Sequence, residues 1–397
     1  MDNLFGNLPS LTEEYENFAY FCKYDRETRT VGDEKLYLSG IDPLYIRDGT
    51  TAPFRRIEDH FGMPAGNYCR SEYPVIYGYD YVDSILPDIR IRRSEWPRVM
   101  AILPEKVITG RYIRTELPLF TPTDNFSDPD QENRIRDAIE RIRRGELLQV
   151  VLSERFRMND LDLFRALEKM SRFDRSLYVF FFRFGKYQVI GSSPENLVTV
   201  NNRTAEIFPI AGTRPRGENG EEDMKLEDEL LNDSKELLEH RMLVDLARND
   251  LGRISRAGSV RVTMSMKVQK FATVQHIVSR VQGTLDDRVD LDDAVNSVFP
   301  AGTVTGAPKK RAMQIINQAE KFARGPYAGS IGIAGPGYVD MALSIRSIFT
   351  DGNETFTQAG AGIVKDSVPA SEVMEIRRKA STVMGGVGLE SSADKQL

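Results

Sequence analysis

Between Phe299 and Ala380 the chain turns sharply on glycine three times, and each turn feeds an apolar or helical run. The stretches read FPAGTVTGAPKKRAMQII, GPYAGSIGIAGPGYVDMALSIRSIF and QAGAGIVKDSVPASEVMEIRRKA. Glycine has no side chain and tolerates positive φ, so such turns admit a ligand or a second backbone at close range. Arg346, Tyr327, Lys365 and Lys379 stand around these turns, beside Glu372 and Glu375. If 371–380 is helical, the two glutamates lie at i and i+3 and share a face. Donors that bind carboxylates therefore adjoin carboxylates that bind a metal. A small, doubly anionic substrate needs that combination.

Composition narrows the class. The chain has 397 residues, 41% apolar and 28% charged, which describes a globular protein of two or three domains by length alone. A net charge of -6 argues against a protein that binds nucleic acid by neutralising phosphates. Cys22 and Cys69 form neither a disulfide framework nor a Cys-x-x-Cys pair. No apolar run is long enough for a transmembrane helix, and the acidic start MDNLFGNLPSLTEEYENF lacks a signal-peptide apolar region. A cytoplasmic enzyme or binding protein is expected.

Residues 1 to about 115 read as strands and loops, with YPVIYGYDYV (73–82) and KVITGRYI (106–113) as sheet core. Pro, Asp, Asn, Thr and Ser gather at 117–131, the best internal boundary. A helix follows, capped by Ser127 with Pro129 in its first turn, and Gly145 ends it. LLQVVLSERFRM (147–158) reads as a strand and 160–170 as a helix. Residues 176–184 and 187–193 read as a hairpin turning on Gly185 and Lys186, its aromatic run implying burial. Glu222 to Asp250 reads as one long helix carrying Glu236, Glu239 and Leu243 on one stripe. VQHIVSRVQGTL (274–285) reads as a strand with His276 inside it, and ALSIRSIF as a strand whose apolar run is interrupted by Arg346. The Gly- and Ser-rich tail at 386–397 is expected to fray.

Two i, i+3 glutamate pairs stand out: Glu236 with Glu239, and Glu372 with Glu375. They are either solvated helix charge or oxygen ligands for Mg²⁺, which prefers hard oxygen donors and keeps waters and substrate oxygens. No Cys/His set suits zinc. His276 is either a satisfied structural histidine or a proton-transfer group. Glu195 is either a turn cap or a general acid with a raised pKa. Arg346 is either solvated or a bidentate partner for a substrate carboxylate. AGTVTGAPKK is not a P-loop, GAGIVK lacks a dinucleotide fingerprint's third glycine, and no Gly-x-Ser-x-Gly elbow occurs.

Seven ordered blocks carry more: GSSPENLV, PIAGTRPRG, KELLEHRMLVDLARNDLGR, VQHIVSRVQGTL, FPAGTVTGAPKKRAMQII, GPYAGSIG and GAGIVKDSVPASEVMEI. Together they resemble the chorismate-utilising enzymes, and among these the anthranilate synthase component I branch. The resemblance spans 128–385 as a chorismate-binding catalytic domain, with 1–120 as a more weakly similar N-terminal region. It implies an α+β fold of two facing, mostly antiparallel sheets with outer helices and an active-site cleft between subdomains. It also implies a reaction. Ammonia adds at C2 of chorismate while the C4 hydroxyl leaves, and pyruvate is then eliminated to give anthranilate.

By the same resemblance, Glu195 is the acid that helps hydroxide leave, and His276 lies beside C4 and aids proton transfer. Mg²⁺ holds the ring carboxylate through Glu239 and Glu375, with Glu236 and Glu372 in support. Tyr327 and Arg346 grip the enolpyruvyl carboxylate, where Gly360, Ala361 and Gly362 offer backbone N–H groups. Gly302 and Thr303 line the substrate, and Lys379 lies near the ring carboxylate. Relatives that add water carry lysine where Gln149 stands, a base that glutamine cannot replace. Aminodeoxychorismate synthases carry a nucleophilic lysine where Ala211 stands. Gln149 with Ala211 thus points to ammonia delivered at C2. An aminodeoxychorismate synthase component I, a 2-amino-2-deoxyisochorismate synthase and a non-catalytic binding subunit are the alternatives. Neither cysteine lies in a glutaminase nucleophile turn, so a separate glutamine amidotransferase partner is expected. The Leu-Leu-Glu-Ser segment of tryptophan-inhibited members is missing, and their Asn-Pro-Ser-Pro-Tyr-Met segment is matched only at Ser176 and Tyr178. The resemblance therefore gives no expectation of tryptophan feedback.

Overall fold

Alternating apolar runs and tight turns build two large sheets, in which every pairing is antiparallel. The computed structural model describes residues 4–26, 30–63, 72–113, 129–158, 161–173, 176–270 and 274–386. The first sheet runs, in spatial order, Gly306–Ala307, Gln149–Met158, Thr355–Ile363, Ser347–Thr350, Tyr187–Ser193, Tyr178–Phe184, Asn17–Tyr24, Val31–Ser39 and Lys106–Ile113. The second runs Ile210–Pro215, Val274–Thr284, Thr204–Ile207, Asn196–Asn201, Tyr338–Leu343, Ser330–Gly335, Tyr73–Tyr77, Val99–Ala101 and Leu44–Ile46. Arg261–Lys270 pairs with the other side of Val274–Thr284. The first 113 residues add strands to both sheets, so they share the core of the chain that follows.

The hairpin shows how composition sets the layers. Side chains alternate across a strand. Tyr178, Phe180, Phe182 and Phe184 enter the core shared with Val75, Val198, Ile331 and Met341 of the second sheet. Val179 and Phe181 enter a separate core beneath the Leu163–Phe173 helix, with Ala166, Leu167 and Met170. An unbroken aromatic run is thus what a strand buried on both faces requires, each such ring contributing roughly 1.5–3 kcal/mol of burial. A third core lies between the first sheet and the helices Pro129–Arg143, Lys309–Ala319 and Pro369–Gly386.

Three expectations change. The helix read from 222 to 250 is two helices, Gly220–Asn232 and Ser234–Gly252. Asp233 breaks it: its extended backbone turns the chain, and its carboxylate accepts from Lys235 N at 3.0 Å and Glu236 N at 3.2 Å. Such an N-cap competes well with a strong helix-forming run. Arg346 is not inside a strand. It stands between Tyr338–Leu343 of one sheet and Ser347–Thr350 of the other, with φ +49. Left-handed backbone at a side chain other than glycine is strained, and such residues cluster at functional sites. The helix read from residue 160 runs Leu163–Phe173, and Asp160 itself lies outside the described residues. So do Ser127, most of the 117–131 boundary, Cys69 and the tail beyond residue 386. Cys22 is buried. Among the described residues, no helix is long and apolar enough to cross a membrane.

Candidate active site

The chain passes between the two sheets at three places where site residues sit. Pro194 and Glu195 link Tyr187–Ser193 in the first sheet to Asn196–Asn201 in the second. Ser344 to Arg346 link back in the opposite direction. The turn Gly302–Val304 leads from the second sheet to Gly306–Ala307 in the first. Backbone bonds lock the first two crossings side by side: Leu343 N donates to Glu195 O at 3.0 Å, and Ser192 N donates to Arg346 O at 3.2 Å. Neither position is adjacent to the other in sequence, so only the crossings bring the acid and the arginine together.

Burial pushes the Glu195 carboxyl up to about 7, against the lowering pull of Thr303, Lys379 and Arg346. A carboxylic acid that keeps its proton near neutrality is suited to donate it. The Thr303 hydroxyl is buried beside Glu195, whose carboxyl it helps to hold down.

Gly360, Ala361 and Gly362 belong to the strand Thr355–Ile363, paired with Ser153, Leu152 and Val151. Close approach demands glycine at Gly360, where a Cβ would stand 2.9 Å from the Leu152 carbonyl oxygen and from the Tyr327 hydroxyl. A Cβ on Gly362 would stand 2.6 Å from the Gln149 amide nitrogen, the end of a flexible side chain. Tyr327 is buried, which raises its hydroxyl pKa and keeps it a donor. Gln149 reaches toward the acidic helices: its Nε2 donates to Glu239 Oε1 at 3.5 Å.

The glutamate pairs face one another from two helices. Ser234–Gly252 packs on the second sheet, where a Cβ on Gly212, next to Ala211, would stand 3.4 Å from Glu236 Oε2. Pro369–Gly386 packs on the first sheet. Burial, then repulsion by Glu236 and further by Glu375, raises the Glu239 pKa. Burial first, and the Glu375 charge, raise Glu372, which Ser367 partly offsets. The pairs are partly balanced by cations. Lys379 Nζ sits 2.6 Å from Glu375 Oε1 and 3.1 Å from Gly360 O, and Arg214 Nη1 lies 3.5 Å from Glu236 Oε1. Lys235 acts on both Glu239 and Glu372. Sequence reading passed over Lys235, although its i, i+4 spacing to Glu239 was visible.

Oxygen-only donors on two neighbouring helices, with burial first and like charge second raising Glu239 and Glu372, suit a hard cation. Among the described residues, no three His, Cys, Asp or Glu side chains converge as a ready-made ligand group. Mg²⁺ commonly takes one or two carboxylates and completes its shell with water and substrate oxygens, so an open pair is compatible with it.

His276 sits half-buried in Val274–Thr284, opposite Thr213 in the neighbouring strand. Its Nδ1 lies 2.9 Å from Gly212 O and 3.0 Å from Thr213 Oγ1. A carbonyl accepts only, so Nδ1 carries the proton and Nε2 is the basic nitrogen. The strand pairing thus places His276 beside Thr213 and next to Ala211 and Gly212, which adjoin Glu236. Gln149 adjoins Gly362 and Glu239, and Lys379 links Gly360 to Glu375.

Residues 114–385 match the family of chorismate binding enzymes. This chain belongs to that family. It is 43% identical to anthranilate synthase component 1 of Aeropyrum pernix, over 81% of this chain and 79% of that protein. It is 41% identical to anthranilate synthase component 1 of Methanothermobacter thermautotrophicus, over 95% of this chain and 80% of that one. Among solved structures, anthranilate synthase component I of Streptococcus pneumoniae superposes with a TM-score of 0.71 at 30% identity, covering 92% of each chain. The menaquinone-specific isochorismate synthase of Escherichia coli shares the fold, with a TM-score of 0.75 at 20% identity over 98% of this chain and 91% of that one.

Proposed function

We propose that this chain converts chorismate and ammonia to anthranilate and pyruvate, in the cytoplasm, with Mg²⁺ as cofactor and ammonia supplied by a separate glutamine amidotransferase subunit. The observation that carries the reading is the side chain at residue 149. Gln149 presents an amide, not an amine, to the acidic side of the cleft, 3.5 Å from Glu239. Ala211 adds only a methyl group, beside Gly212 and Glu236. No lysine at either position serves as a water-activating base or as a nucleophile. The nucleophile therefore arrives from outside, and ammonia needs no base to make it reactive.

Substrate placement follows from charge. Arg346 and Tyr327, backed by the N–H groups of Gly360 to Gly362, take the enolpyruvyl carboxylate. Lys379 stands near the ring carboxylate. Glu239 and Glu375 would hold the metal, supported by Glu236 and Glu372, and the bound ion would orient the ring and neutralise its charge. Glu195 donates its proton to the departing C4 hydroxyl, which would otherwise leave as hydroxide. The Thr303 hydroxyl, buried beside Glu195, supplies a polar contact next to that oxygen. His276 Nε2 then accepts the C2 proton or relays it as pyruvate leaves and the ring becomes aromatic.

Incubating the purified chain with chorismate, Mg²⁺ and ammonium tests the reaction: fluorescent anthranilate and pyruvate should form in equal amounts. A non-aromatic amino diene would instead mark a synthase that stops at 2-amino-2-deoxyisochorismate, or an aminodeoxychorismate synthase. The partner has its own test. With glutamine as the only nitrogen source, the chain alone should form anthranilate at background rate, and adding an amidotransferase subunit should restore it. Equal turnover on glutamine and ammonium by the chain alone would refute the partner.

A further inference from the structure

Behind Tyr327 lies an ion pair buried almost completely. Arg324 and Glu320 have side chains 1% and 5% exposed. Arg324 donates to Glu320 Oε1 at 2.6 Å and Oε2 at 2.9 Å, to Val304 O at 2.7 Å and to Val151 O at 2.8 Å. Glu320 Oε1 also accepts from Ser153 N at 2.9 Å and Ser153 Oγ at 2.7 Å. Gln358 Nε2 donates to the same hydroxyl at 2.9 Å. The guanidinium stands 5.6 Å from the centre of the Tyr327 ring.

Each endpoint belongs to a different part of the site. Val304 follows Thr303 in the turn beside Glu195. Val151 is two residues from Gln149 and pairs with Gly362, while Ser153 pairs with Gly360. We infer that Arg324 and Glu320 are positioning residues that fix the spacing between the acid side, the carboxylate grip and the nucleophile side of this active site. Stability alone does not explain such a pair, because apolar residues of similar volume often do as well or better in a core. Lysine is no substitute. Its ammonium is a single point and cannot serve Val304 O, Val151 O and both Glu320 oxygens, whereas a planar fork does.

The inference rests on the chorismate reading, so wild-type turnover with ammonium is the control. The variants are Arg324→Lys and the double apolar replacement Arg324→Met with Glu320→Met, the latter chosen to keep the core filled. For each, kcat and KM for chorismate are measured per folded molecule, with melting temperature and amide hydrogen exchange at 149–153 and 302–305. Both folded variants should lose roughly 100-fold in kcat/KM, with KM raised as well as kcat lowered, and exchange should speed up in both segments. Exchange decides the inference even if the wild type does not turn over chorismate, in which case the functional reading fails and this one still stands or falls. Unchanged KM and exchange, or activity lost only in proportion to unfolded protein, would overturn it.

Discussion

The Glu195→Gln enzyme turns chorismate over about a thousandfold more slowly than wild type, inside the roughly 10²–10⁴-fold range of a positioned general acid. The amide keeps the size and polarity of the carboxyl but has no acidic proton to give to the C4 oxygen. Chorismate affinity should change little, because the proposed carboxylate grip is Arg346 and Tyr327, not Glu195. The effect therefore falls on kcat. The pH profile gives the sharper reading. Burial raises the Glu195 carboxyl to about 7. The acid form is needed, so with free ammonia held constant kcat/KM for chorismate should be flat below that pH and fall tenfold per unit above it. Glu195→Gln should lose this limb. Thr303→Val should move it upward, since Thr303 pulls the carboxyl down. A limb that survives unchanged in Glu195→Gln would assign the acid to another group.

Some of this architecture was legible in the residues and some was not. The hairpin at 178–193 could be read because aromatic density and a Gly-Lys turn act locally. The acidic pairs could be read because helical spacing fixes a face. The break at Asp233 was masked by good helix formers on both sides, although Asn-Asp-Ser is an N-cap signal. Arg346 was misplaced because an apolar run around one cation looks like a strand, and nothing local says that the chain changes sheets there. The Glu320 and Arg324 pair has the i, i+4 spacing of ordinary solvated charge. Only tertiary packing buries it, and periodicity does not report packing. Recognition of the ordered blocks supplied roles that spacing could not, while the crossings that bring Glu195, Thr303 and Arg346 together had to be seen.

Glu375→Gln should remove Mg²⁺-dependent turnover while leaving the fold intact. Glu375 is half-exposed and, among the described residues, forms its ion pair locally, with Lys379 at i, i+4. That pair is worth about 0.3–0.5 kcal/mol, so its loss barely touches stability. The same weakness means that an arriving divalent ion displaces Lys379 easily. Calorimetric titration should show Mg²⁺ affinity lowered by at least about tenfold in Glu375→Gln and in Glu239→Gln, since even outer-shell partners of a metal are worth that much. Lys379→Met separates the two duties of the lysine by sign. Without the competing ammonium, Glu375 should bind Mg²⁺ as tightly as wild type or tighter, yet the KM for chorismate should rise if Lys379 stands near the ring carboxylate as proposed. Weaker Mg²⁺ binding in Lys379→Met would mean that the lysine organises the carboxylates rather than occupying them. Unchanged titration and turnover in Glu375→Gln would remove that residue from the metal site.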